Sequence, residues 1–156
     1  VTASRADLPQ PIEVSLSGLP DALATAPVDW QRVPETGELI GTAASDGISL
    51  QLSVYPRRDL LHVEALVSNP AGKPELSSTP SLRASCPNEG TRLRLTSEGA
   101  PEVGRTKGEA TIAGVTKSLQ PGQSARWRFR VFVLKNGTPA SPPNTPWDAW
   151  SSRLPQ

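Results

Sequence analysis

Between Leu119 and Leu134 the chain reads LQPGQSARWRFRVFVL. A Pro121-Gly122 turn opens a run in which Trp127, Phe129, Val131 and Val133 alternate with Arg126, Arg128 and Arg130. A tight turn followed by period-2 alternation predicts a half-buried antiparallel strand, with its aromatic and aliphatic half toward a core and its arginines on the other face. The same pattern recurs upstream. Ile12, Val14 and Leu16 alternate with Glu13, Ser15 and Ser17. Ile48, Leu50, Leu52 and Val54 alternate with Ser49, Gln51 and Ser53, and Leu61, Val63, Ala65 and Val67 with His62, Glu64 and Leu66. Pro56 to Asp59 turns the chain between these last two runs, which predicts a hairpin. Weaker strand signals lie at 38–43, 82–86 and 110–115, and at 91–96, where Leu93 and Leu95 face away from Arg92 and Arg94.

Other stretches read as punctuation. Residues 20–25 (PDALAT) suit one helical turn opened by a proline. The Gly- and Pro-punctuated segment 98–108 reads as a loop, and Val1 to Gln10 as a flexible lead-in. The tail from Gly137 to Pro146 is proline-rich and extended. Beyond it, Thr145, Pro146 and Asp148 can open a short helix that brings Trp147, Trp150 and Leu154 onto one face. The expected organisation is therefore a flexible segment at 1–10, one β-sandwich domain at 11–136, and a tail with a short helix at 137–156. The expected fold class is all-β, with about seven or eight strands at a spacing that implies an antiparallel sandwich or barrel. Its expected core comprises Val14, Leu16, Leu50, Leu52, Val63, Val67, Leu93, Leu95, Trp127, Phe129, Val131 and Val133, with Trp30 also inside.

Composition narrows this reading. The 156 residues include 17 prolines, about twice the ordinary share of roughly 5%, which favours many short elements over long helices. Sixteen basic and 15 acidic residues leave a net charge of +1. That balance argues against a dedicated nucleic-acid binder, while leaving room for a local basic patch. No apolar run approaches the ~18 residues of a membrane span. The chain contains no methionine, even at position 1, so it is expected to be a processed or trimmed product. Removal of a secretory signal is the commonest natural route, which suggests an extracytoplasmic location: periplasmic, cell-surface or secreted. The single Cys86 excludes an internal disulfide and fits a bacterial envelope protein.

Two blocks carry a family resemblance. LHVEALVSN, from Leu61 to Asn69, is a strand ending in an Asn-led loop, and Leu119 to Phe132 begins with Leu-x-Pro-Gly and runs into an aromatic strand. This layout resembles bacterial immunoglobulin-like sandwiches, among them the CARDB-like adhesion modules and the intracellular proteinase inhibitor family BsuPI. It covers about half of the chain. Between the blocks, where the inhibitor family carries an aromatic-rich segment, this chain reads SLRASCPNEGTRLRLTS. The resemblance implies an immunoglobulin-like antiparallel β-sandwich, a fold that does not by itself fix function.

Several groups bear on chemistry. If the strands of Arg92 and Arg94 and of Arg126, Arg128 and Arg130 are neighbours, five guanidiniums share one face. Such a face suits bidentate binding of carboxylate, sulfate or phosphate on an anionic glycan, a lipid headgroup or an acidic protein partner. The plainer reading is a solvated sheet face, with Glu64 as a cross-strand partner. Trp147 and Trp150 suit either a stacking platform or a latch over the core. His62 and Cys86 are the one nucleophile–base pair, and Cys86 reads more simply as a small buried residue. Two such residues are too few for a zinc site, no calcium loop or phosphate-cradling glycine motif occurs, and no cofactor is expected. Asn136-Gly137-Thr138 fits either a glycosylation acceptor or a turn. The leading expectation is a non-enzymatic binding or assembly module acting through a sheet face or edge. A protease inhibitor presenting Arg105 or Lys107 from a loop at 99–108 is the alternative, and a small hydrolase comes third.

Overall fold

The computed structural model describes residues 2–3, 12–57, 60–86, 91–99, 103–107 and 109–135. In chain order its elements are β1 (Thr2–Ala3), β2 (Glu13–Ser17), a single helical turn α1 (Asp21–Ala24), β3 (Asp29–Arg32), β4 (Leu39–Ser45), β5 (Ile48–Arg57), β6 (Leu60–Ser68), β7 (Leu76–Ser78), β8 (Ser81–Ser85), β9 (Thr91–Ser97), β10 (Val103–Lys107), β11 (Glu109–Ala113), β12 (Lys117–Leu119) and β13 (Ser124–Lys135). The described chain is thus mostly strand, and every pairing is antiparallel. A seven-stranded sheet has the order β10-β9-β13-β6-β5-β4-β3, a four-stranded sheet the order β1-β2-β8-β11, and β12 and β7 form a two-stranded ribbon.

One apolar core joins the two larger sheets, as in a β-sandwich. Val14, Leu16, Leu82, Ala84 and Ile112 come from the smaller sheet, and Leu50, Leu52, Val54, Val63, Val67, Leu93, Leu95, Trp127, Phe129 and Val131 from the larger. Eleven of the twelve residues expected in the core are fully buried; Val133 and Trp30 are partly buried against it. The Trp30 ring lies over Gly41, its cross-strand partner, where a Cβ would stand 2.9 Å from the ring. Leu23 in α1 is fully buried and plugs the same core, while Pro20 caps the turn from outside its first residue.

Four details differ from the sequence reading. The strands outnumber the seven or eight expected, because β1, β3, β7, β10 and β12 are short pieces that exist through pairing rather than through hydrophobic alternation. Pro56 belongs to β5, opposite Leu61, and not to the turn. It is tolerated because the other neighbour, β4, already ends opposite Val54, so no ladder bond is lost on that side. Residues 103–107 are a strand bonded to β9 with a register shift, so the segment read as a projecting loop supplies an edge strand instead. Thr2–Ala3, inside the expected lead-in, pairs with β2. The expected C-terminal helix with Trp147 and Trp150, and the Asn136 motif, lie outside the described residues.

Asn69 holds the two blocks of the family resemblance together. Its amide N–H donates to the Gln123 carbonyl and its own carbonyl accepts from Gly122, both at 2.8 Å. Its side-chain Nδ2 donates to the carbonyls of Pro74 at 3.0 Å and Leu119 at 3.2 Å. The end of β6 is therefore tied to the Pro121-Gly122 turn that launches β13, which sets the register between the two strands. Asn69→Ala removes the two side-chain bonds from a buried position and is expected to destabilise the fold by about 2 kcal/mol. Urea unfolding measures this; a change under about 0.5 kcal/mol would mean that the main-chain bonds alone hold the junction.

Candidate functional site

The outer face of the seven-stranded sheet is built by register. Arg130 stands between Thr96 of β9 and His62 of β6, and His62 opposite Tyr55 of β5. Arg128 stands opposite Glu64, which is opposite Ser53. Phe132 stands opposite Arg94, and Leu134 opposite Arg92. β9 and β13 are direct neighbours, so the five arginine positions singled out in the sequence share one face.

The centre of that face is not solvated. His62, Ser53 and Leu66 are buried there, as are Glu38 beside the start of β4 and Phe132. Glu64 is 2% exposed and Arg130 5%. The side chains of Arg126 and Arg128 keep 24% and 19% of their surface, and Arg94 is half-buried. The alternation that sends Val63, Ala65 and Val67 into the sandwich core sends His62, Glu64 and Leu66 to a second buried layer. β6 is covered on both sides.

Charges brought out of water need close partners. Arg128 grips Glu98 with both arms of its fork: Nε to Oε2 at 2.6 Å and Nη2 to Oε1 at 2.8 Å. Arg126 Nε lies 2.9 Å from Glu64 Oε1, an ion-pair contact without hydrogen-bond alignment. Ser53, opposite Glu64 in register, turns its hydroxyl to Glu38 Oε2 at 2.9 Å. Burial pushes the Glu64 carboxyl above its ordinary value of 4.5; Arg126 and then Arg128 pull it back, while Glu38 and Glu98 add to the rise. Burial also lowers the Arg130 pKa, helped by Arg128 and opposed by Glu98, although a guanidinium stays charged at any ordinary pH. On the smaller sheet, Arg83 and Glu109 meet at 2.7 Å with both side chains more than half exposed, a pair of the kind that adds little stability.

The remaining candidates separate in space. Cys86 is a free, buried member of the sandwich core, whereas His62 lies on the opposite face of the larger sheet, so the two do not form a dyad. Trp127 is core, with its Nε1 donating to the Val115 carbonyl at 2.7 Å and the Lys117 ammonium 5.4 Å from its ring. Among the described residues no three His, Cys, Asp or Glu side chains group as a metal site would require, and no helix is long and apolar enough to cross a membrane. Glu64 was visible in the sequence as a partner for arginine. Glu38, Ser53 and Glu98 were not, because only strand register brings them to the same face.

The raised Glu64 pKa has a consequence for stability. The folded protein holds this proton more tightly than the unfolded chain does. The Glu64 contribution is therefore fully present below pH 4.5 and is lost as the pH rises through the folded pKa. The stability of the wild type relative to Glu64→Gln should fall between pH 4.5 and neutrality; a difference independent of pH in urea titrations would contradict the assignment. In comparisons with family models, with curated proteins and with solved structures, the chain matches none.

Proposed function

We propose that this chain is an immunoglobulin-like, non-catalytic binding or assembly module that works outside the cytoplasm and engages an anionic partner through the outer face of its larger sheet. The observation that carries this reading is the adjacency of β9, β13 and β6, which gathers Arg94, Arg126, Arg128 and Arg130 on one face with Glu64 and Glu98 and puts position Arg92 beside them in register. Arg94, Arg126 and Arg128 retain exposed surface there. Successive same-face residues of a strand stand roughly 6.6–6.8 Å apart, and neighbouring strands about 4.8 Å apart, so the guanidiniums form a grid rather than one pocket. A grid of this kind suits repeated carboxylate or sulfate groups, as on an anionic glycan.

The test is retention on immobilised heparin. The wild type is expected to bind at low salt and to elute as salt rises. Arg94→Glu should weaken binding by about 3–10-fold, as one attractive contact becomes repulsive. It is a better probe than Arg128→Glu, which would also break the bidentate grip on Glu98. Far-UV circular dichroism checks that the variant folds. Equal elution of the wild type and a folded Arg94→Glu would reject the arginine face as the binding surface, and retention on an acidic protein but not on heparin would move the partner to that class.

A further inference from the structure

Two large apolar side chains are buried away from the sandwich core. Leu66 and Phe132 are 7% and 6% exposed, yet neither belongs to the core cluster. They stand on the outer face of the larger sheet, where His62, Glu64, Ser53 and Arg130 are buried as well. Strand side chains rise roughly perpendicular to their sheet, so cross-strand neighbours shield the flanks of a side chain and not its tip. The neighbours of Leu66 are Gln51 and Arg126, those of Phe132 are Arg94 and Leu60, and all four are only half-buried. The burial is also local: in the row of Leu66, Thr42 on β4 and Asp29 on β3 are exposed. The cover therefore sits over β6 and β13. The structure holds one chain, so the cover belongs to that chain. The smaller sheet, α1 and the β7–β12 ribbon send Leu82, Leu23 and Leu119 into the core, on the opposite side of the larger sheet. Residues 4–11 are bounded by β1 and β2, both in the smaller sheet. The other stretches outside the described residues are one to four residues long, except 136–156, which follows β13 directly.

We propose that the C-terminal segment 137–156 is a latch that lies along this outer face and covers Phe132, His62 and Leu66, with Trp147 and Trp150 as its apolar anchors. Its reach fits. Nine strand residues carry β13 from Arg126, opposite Leu66, to Lys135, a distance of about 30 Å. The ten residues from Gly137 to Pro146 include four prolines and span about 31 Å as polyproline II. A segment that leaves β13 at Lys135 can thus run back over Phe132 and His62 and bring Trp147 to Leu66. Tyr55, His62, Arg94, Arg126, Arg128 and Arg130 all make further interactions besides those named above, as side chains beneath a cover do. The two tryptophans then hold the chain to itself instead of offering a platform for sugar rings. Arg94, Arg126 and Arg128 keep exposed surface at the margin of the covered patch, so the latch stands or falls independently of anion binding.

Two measurements on the full chain test the latch. Nuclear Overhauser contacts are expected between the indole protons of Trp147 or Trp150 and the methyl groups of Leu66; their absence, with both sets of resonances assigned, overturns the proposal. His62 is the single histidine of the chain, so its reaction with diethyl pyrocarbonate, followed by mass spectrometry, reports on the covered face without ambiguity. The reaction should be slow in the wild type and faster by about tenfold or more in Trp147→Ala/Trp150→Ala, because loss of buried aromatic anchors favours local opening. Equal rates in the two proteins overturn the latch. A wild-type rate that rises on dilution also overturns it, since the cover is then a second copy of the chain. Far-UV circular dichroism checks that the double variant folds; if it does not, the contacts to Leu66 in the wild type decide the question.

Discussion

The pairing of β6 with β13 is the constraint on which the rest depends. It runs in unbroken register from Ser124 opposite Ser68 to Phe132 opposite Leu60. Because the side-chain period of a strand is 2, a slip of one residue would exchange the two faces completely. Phe129 and Val131 would leave the core and the arginines would enter it. Asn69 guards against that slip by bonding the end of β6 to the turn from which β13 starts. Asn69 and Leu119, just before the Pro-Gly entry, are 50 residues apart in the chain and belong to one junction in space.

With the register set, the larger sheet must solve two packing problems. Its inner face meets the smaller sheet through aliphatic and aromatic side chains, where burial alone is favourable. Its outer face buries Glu64, His62, Ser53 and Arg130, where burial alone is unfavourable. The ion pairs and the Ser53–Glu38 hydrogen bond are the response to that cost. They differ in quality. The Arg128–Glu98 pair is bidentate and part-exposed, whereas the acid of the Arg126–Glu64 pair is almost wholly buried. On the proposed reading of this face, recognition and stability draw on the same side chains, and an incoming anion competes with internal carboxylates for the arginines.

Hydrophobic alternation by itself determined the all-β class, the five long strands and the centre of the core, because a period of 2 is a local property that burial on one face writes directly into the chain. The same periodicity put Arg126, Arg128 and Arg130 together on one side of β13. Only the tertiary structure decided what that side means. Whether an outer face is wet or covered depends on elements far away in the chain, and no local pattern reports it. Glu38, Ser53 and Glu98 join the face through cross-strand register, and the edge strand at 103–107 forms through its pairing with β9 despite Gly- and Pro-rich surroundings. The stretch from Leu119 to Leu134 shows both halves of this. Its apolar positions follow from sequence alone, whereas the work of its arginines, paired to buried acids on a covered face, follows from which strands lie beside it.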